Sequence, residues 1–394
     1  MPYQPTKTVT TIALVLALVL FALELGWLYP KMNADNVLPD FIEYWAAGRA
    51  ILSGQNPYSP DQLLMLQNSA GWSKADPLMM YNPPWTFFFT LPFCLAHYPL
   101  SKFLWFLFNM ALVFICGDWL WRLYGGREQY RYASLLITFT FAPVLFAVGV
   151  GQVVPFMLLG LVAFLQFAKL QKWPVAGLCL VLVAIKPHIL FLFWIALLLW
   201  VWDHKKWPLA LGIGAGGLTA VALPLLLYPD VISGYIGFML NQPPLFYKSP
   251  APGSFLRLLL GEERTWLQVL LPCMGIAWFI FYWRAHRKNW RWNQRLPAVI
   301  FASLLTAPYG WSFDYALLLP AVMKVAIDTL QSRRSNVIRQ LAGIHLFING
   351  IALTLRLMAF PDHLMFWFGP ALLLIYLLYS RTNHGDRTPP PGDL

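Results

Sequence analysis

The sequence predicts an all-helical integral membrane protein that crosses the bilayer many times. Three observations predict it. Hydrophobic residues make up 59% of the 394 positions, with a mean hydropathy of +0.57. Apolar runs near the roughly 20 residues that a bilayer crossing needs recur from one end to the other. Basic residues gather in short clusters between those runs, as cytoplasmic loops do. The net charge of +11 would otherwise suggest a nucleic-acid partner, but its spacing assigns it to loops and no such partner is expected.

Taken in order, the apolar runs fall near 9–30, 101–121, 132–149, 153–169, 174–187, 188–202, 207–228, 265–283, 296–309, 312–330, 340–359 and 363–380, about twelve spans. The first, Val9 to Tyr29, is too long for a signal-peptide core and lacks a small-residue cleavage site, so it reads as a retained anchor. With the N-terminus inside, eighteen of the 28 Lys and Arg fall in cytoplasmic segments. Residues 83–97 are apolar but span only about one leaflet. A full crossing there would put Arg122, Arg127 and Arg131 outside, so this stretch is expected to be a half-helix opening after Tyr81-Asn82-Pro83-Pro84. Residues 31–100 and 229–264 are then the outer loops. A single transmembrane domain runs to 380. The tail 381–394, with Pro389-Pro390-Pro391, reads as disordered and cytoplasmic.

The first outer loop carries the densest chemistry. Pro39 stands where a helix can begin, and Asp40, Glu43, Tyr44 and Ala47 then share one helical face. Gly54 and Pro57 end the helix. A short amphipathic surface helix with a carboxylate edge is expected. Other polar outliers, Asp35, Gln152, Lys186, His188, Arg257 and Asp314, fall on the same outer side, where polar groups at membrane depth are costly unless used.

Each outlier has a functional and a plain reading. Asp40 could be a general base, its pKa raised by partial burial, or a helix-start carboxylate favoured by the dipole. Glu43, one turn on, could share that site or be solvated. Gly151-Gln152 allows a tight turn, with an amide able to donate to and accept from a sugar hydroxyl, or simply facing water. Lys186-Pro187-His188 interrupts an apolar run; the lysine must meet an anion or snorkel to the headgroups. Arg257 and Arg356 are candidate phosphate ligands or interfacial residues. Cys94, Cys116, Cys179 and Cys273 lie in apolar runs and read as packing, with no disulfide framework and no metal site expected. There is no P-loop, no dinucleotide fingerprint and no long cytoplasmic segment for a soluble nucleotide-sugar domain. A donor would have to come from the membrane.

Four patches resemble glycosyltransferase family 87. The first is Asp40-Phe41, Tyr44, Ala46, Gly48, Leu52, Gly54 and Pro57-Tyr58; then come Tyr81-Asn82-Pro83-Pro84, Gly151-Gln152 and Lys186-Pro187. Thr306 to Ser312 is similar to the family segment that ends in Trp-Ser. The resemblance implies a GT-C-type helical bundle and a multi-pass plasma-membrane hexosyltransferase, mannosyltransferase-like, working on the extracytoplasmic face. It implies a polyprenyl-phosphate hexose as donor, a lipid or glycan acceptor, inversion at the sugar carbon and no cofactor. It implies Asp40 as base with Glu43 nearby. Lys186, Arg257 and Arg356 would bind the donor phosphate; Tyr44, Gln152, His188, Trp311 and Asp314 would bind substrate. One departure stands out: many members carry a histidine pair where this chain has Phe313 and Asp314, so Asp314 would take over the acceptor contact, or the acceptor differs. The rival reading is a transporter or flippase of lipid-linked sugars, for which repeated halves would be expected; the sequence has no internal repeat.

Overall fold

The computed structural model describes residues 37–244, 247–332 and 334–382. The predicted span at 9–30, Asp35 and most of the tail 381–394 lie outside the described residues. Within them the chain is helical, with no strand.

α1 (Phe41–Leu52) and α2 (Pro60–Ser69) form the first loop. Residues 84–94 follow as a broken helix, in a 3-10, α, 3-10 sequence. Eleven residues reach only about 16 Å, too short to cross, as the half-helix expectation required. Then come α3 (Tyr98–Leu123), α4 (Tyr132–Thr140), α5 (Ala142–Val150), α6 (Val154–Lys169), α7 (Trp173–Cys179), α8 (Phe191–His204) and α9 (Trp207–Leu227). The second loop carries α10 (Val231–Asn241) and α11 (Pro252–Leu260). α12 (Trp266–His286), α13 (Trp292–Thr306), α14 (Leu319–Gln331), α15 (Ser335–Leu357) and α16 (Phe368–Thr382) complete the bundle, with 3-10 turns at Ser312–Leu318 and Asp362–Trp367.

Helices occupy every predicted apolar run within the described residues. Five are long and apolar enough to cross alone: α3, α9, α12, α15 and the stretch Asp362–Ser380 that includes most of α16. A sixth crossing arises if α4 and α5 count as one. The expected straight span at 132–149 is corrected here: it bends by 68° at Phe141. Pro143 lies in the first turn of α5, and Phe141 is extended. The freed backbone is clasped by α15: Asn349 Oδ1 accepts from Ala142 N at 2.7 Å, and His345 meets Thr140 Oγ1 at 3.0 Å.

The amphipathic reading of α1 also needs correction. Of its residues, only Leu52 and Arg49 escape full burial. α1 is wedged between residues 84–94, α3 and α9. Phe41 stacks on Tyr98 and leans on Trp105, with ring centroids 6.1 and 5.1 Å away. Burying such a ring contributes about 1.5–3 kcal/mol, so the apolar residues outvote the carboxylate edge. Gly48 permits the approach: a methyl there would collide with Cys94 Sγ.

Candidate active site

The site is assembled where α1 meets the α5–α6 turn. Gly151 takes φ +83°, and a Cβ there would press on Phe41 and Leu38 at 3.0 and 3.1 Å. Glycine therefore lets the turn sit against the start of α1. Asp40 N donates to Val150 O at 2.9 Å, and Trp105 Nε1 donates to Gly151 O at 2.8 Å. Gln152 is thereby held beside Asp40. The Ser312–Leu318 turn packs on α5 and α6, bringing Asp314 toward the same point.

A chain of hydrogen bonds follows. Gln152 Nε2 donates to Asp40 Oδ2 at 2.8 Å. Gln152 Oε1 accepts from Tyr44 Oη at 3.0 Å and from Lys186 Nζ at 3.2 Å. Lys186 Nζ also donates to Asp314 Oδ1 at 3.0 Å, while Asp314 Oδ2 accepts from Trp311 N at 2.8 Å. The lysine lies 4.6 Å from the centroid of the Phe313 ring. Its side chain is 9% exposed and that of Asp314 1%. Asp40 stands at the N-cap position of α1 but makes no cap bond to its own helix; its carboxylate turns to Gln152 instead.

These residues border a cavity of about 510 Å³. Asp40, Glu43, Gln152, Lys186, His188, Trp311 and Arg356, all singled out in the sequence, line it. Tyr44 and Asp314 stand behind the wall, joined to it through Gln152 and Lys186. Arg257 does not line it: it is buried on α11, which packs on α12, α13 and the Asp362–Trp367 turn. Tyr81 and Asn82 of the second patch and Tyr309 of the Thr306 to Ser312 segment, none of them assigned a site role from the sequence, also line it, as do Asp362, Tyr235 and Tyr247, which sequence reasoning missed. Asp362 accepts from Ser312 N at 3.0 Å and from Ser312 Oγ, and lies 3.8 Å from Arg356 Nη1. Tyr81 and Tyr247 join their hydroxyls at 3.2 Å, linking the first and second loops. His188 stacks on Tyr309 at 4.1 Å, and its buried Nε2 has no hydrogen-bond partner among the described residues.

Burial pushes the Asp40 carboxyl above its usual range, against the bond from Gln152 and the charges of Lys186 and Arg356. Burial, and then the charge of Asp40 beside it, push Glu43 up to about 8. Near neutral pH the two carboxyls therefore favour sharing at least one proton over holding two charges. The arrangement offers a proton acceptor, a held proton and two cations bordering one cavity, with a buried imidazole beside them.

Residues 80–308 match the model of glycosyltransferase family 87. That stretch contains Tyr81 to Pro84, Gly151-Gln152 and Lys186-Pro187; Asp40 and Glu43 precede it, and Trp311, Asp314, Arg356 and Asp362 follow it. No curated protein matches the chain, and no solved structure does. The matched stretch covers more than half of the sequence, and the chain belongs to glycosyltransferase family 87.

Proposed function

We propose that this membrane glycosyltransferase moves a hexose, mannose-like, from a polyprenyl-phosphate donor to an extracytoplasmic lipid or glycan acceptor, inverting the sugar carbon, within a GT-C-type bundle of about twelve crossings. The observation that carries the reading is Asp40: a half-buried carboxylate that declines to cap its helix and faces a cavity bordered by Lys186 and Arg356. Asp40 takes the acceptor hydroxyl's proton as the oxygen attacks the anomeric carbon. The bond from that carbon to the donor phosphate breaks, and the polyprenyl phosphate leaves with the bonding pair. Lys186 and Arg356 stabilise the phosphate as its charge grows. His188 and Gln152, which line the cavity, meet sugar hydroxyls. Glu43 keeps its proton, which leaves Asp40 as the ionised member of the pair.

The test is cell-free transfer from radiolabelled polyprenyl-phosphate sugars. Asp40→Asn keeps the shape but cannot take a proton, so turnover should fall by about 10²- to 10⁴-fold, with donor binding retained. Glu43→Gln should be milder. Normal turnover in Asp40→Asn would reduce Asp40 to a helix-start residue. Lipid-linked sugar crossing the bilayer without transfer would favour the flippase reading. The active site belongs on the outer face of the plasma membrane in this proposal. Pro60→Cys should accordingly react with an impermeant thiol reagent in intact cells; labelling only after permeabilisation would reverse the topology.

A further inference from the structure

The hydrogen bonds around Gln152 fix more than its own place. Its Oε1 accepts from Tyr44 Oη at 3.0 Å and from Lys186 Nζ at 3.2 Å, and its Nε2 donates to Asp40 Oδ2 at 2.8 Å. An ammonium can only donate and a carboxylate can only accept. The amide between them therefore has one orientation: reversed, it would set an N–H against Lys186 and a carbonyl oxygen against Asp40. Asp40 and Tyr44 are four residues apart, neighbours on one helical face. The start of α1 thus grips the amide at both its nitrogen and its oxygen.

Tyr44 is the member of this set that stands out of a ligand's reach. It is 0% exposed and does not line the cavity, whereas Asp40, Gln152 and Lys186 do. Its ring lies 5.7 Å from that of Trp105, whose Nε1 donates to Gly151 O, one residue before Gln152. The Glu43 carboxyl lies against the same hydroxyl. A phenol has one proton to give. An ionised Glu43 would compete for that proton; a neutral Glu43 leaves it on Gln152. On the reading that Asp40 is the base, we propose that Tyr44 is a positioning residue acting through Gln152: its hydroxyl keeps the amide on Asp40 Oδ2, and Oδ1 is left to receive the acceptor's proton. Tyr44 then supports the base and does not touch substrate.

The experiment is the cell-free transfer assay with the full chain, run across pH. Tyr44→Phe keeps the ring on Trp105 and removes one hydroxyl. Its kcat should fall by about 5- to 100-fold, between the loss of one hydrogen bond and the misplacement of a base by about 1 Å, with the donor KM changed by less than about twofold. Burial raises the Asp40 carboxyl; the bond from Gln152 and the charges of Lys186 and Arg356 oppose it, and the charge of Asp362 adds to it. Loosening the amide should therefore move the acid limb of kcat/KM to higher pH, a shift that lost packing alone does not produce. In a Gln152→Ala background, Tyr44→Phe should lower kcat no further, because the two residues act in one chain. Unchanged kcat and an unchanged acid limb in Tyr44→Phe, with Asp40→Asn inactive, would overturn the positioning role and leave the base in place. A raised KM alone would make Tyr44 a substrate contact instead. Additive losses in the Gln152→Ala background would sever Tyr44 from Asp40. Normal turnover in Asp40→Asn would remove the base itself, and the role of Tyr44 with it.

Discussion

The two cations that border the cavity of the candidate site are held in opposite ways. Lys186 is 9% exposed, bonded at 3.0 Å to a still more deeply buried Asp314, and also donates to Gln152. Arg356 is 36% exposed and only 3.8 Å from Asp362, which spends its stronger bonds on Ser312. The first wall is finished before any ligand arrives. The second keeps unspent bonding capacity. The difference teaches that residue type alone does not identify a phosphate ligand: Lys186 organises the site through Asp314 and Gln152, whereas Arg356 is the cation better able to turn toward an incoming anion.

The largest effect should come from breaking the finished wall. Lys186→Ala leaves Asp314 charged and buried with no cation beside it, which costs about 3–5 kcal/mol of stability. Lys186→Met with Asp314→Leu removes both charges and should recover most of that loss without restoring transfer. Thermal melts of the three proteins in one detergent test the difference. A Lys186→Ala protein as stable as the wild type would mean that Asp314 has another partner or is protonated.

Arg356→Gln, on the looser wall, should leave the melting temperature nearly unchanged, because exposed pairs are worth about 0–1 kcal/mol. Its cost should fall on the donor: losing a charge-assisted bond to phosphate is worth about 1.5–3 kcal/mol, or roughly 10- to 150-fold in affinity. Donor titration at saturating acceptor reads this out. An unchanged donor KM would return Arg356 to the interfacial role that the sequence left open.

Much of this contrast was legible in the sequence, for a physical reason. In a chain only 11% charged, a polar side chain in an apolar run is expensive, and Asp40, Gln152, Lys186 and Asp314 stood out on that ground. Arg257 stood out equally but does not line the cavity, because the cost of burial says that a partner exists and not which one. Asp362 was hidden in an ordinary Pro-Asp-His turn. Tyr235 and Tyr247 were hidden by abundance, among 17 tyrosines most easily read as interfacial belt, while Tyr81 and Tyr309 lay in motifs that did not mark them as cavity lining. The bend at Phe141 was marked only by Pro143 two residues on. Its caps, His345 and Asn349, lie some 200 residues away, and no local pattern announces them. The short broken helix after Tyr81-Asn82-Pro83-Pro84 was readable because an apolar run of that length cannot span a bilayer.

The carboxylate pair sharpens the contrast through pH. Glu43 titrates near 8 in the folded protein against an ordinary value of 4.5, so the native state holds the proton more tightly than the unfolded chain does. The contribution of Glu43 to stability is fully present below about pH 4.5 and is lost progressively as pH climbs toward about 8. One pH unit inside that window is worth about 1.4 kcal/mol. From about pH 6 to about pH 7.5 the wild type should therefore lose about 2 kcal/mol relative to Glu43→Gln, seen as converging or crossing melting temperatures. Parallel pH curves would mean that Glu43 is ionised in the cavity, and the shared proton would have to be moved to Asp40.

The smallest effect concerns the roof. Tyr247 reaches from the second loop to Tyr81 of the first, hydroxyl to hydroxyl at 3.2 Å, and its ring is 6.3 Å from Trp311. Tyr235 Oη donates to Tyr81 O at 3.3 Å, and the Tyr58 ring sits against both Tyr235 and Phe238. The second loop is thus seated mainly by ring packing, with two hydroxyl contacts added. Tyr247→Phe removes one hydroxyl and keeps the ring. A bond of this kind is worth about 0.5–1.5 kcal/mol net, and Tyr247 is 48% exposed, so water replaces part of it. If the loops close over bound donor, the variant should raise donor KM by about two- to tenfold with kcat little changed, because the reacting groups on α1 and the α5–α6 turn are untouched. Tyr247→Ala removes the ring as well and should cost more. A fall in kcat without a change in KM would show instead that the Tyr81–Tyr247 contact positions a reacting group, and the second loop would then belong to the chemistry and not only to the enclosure.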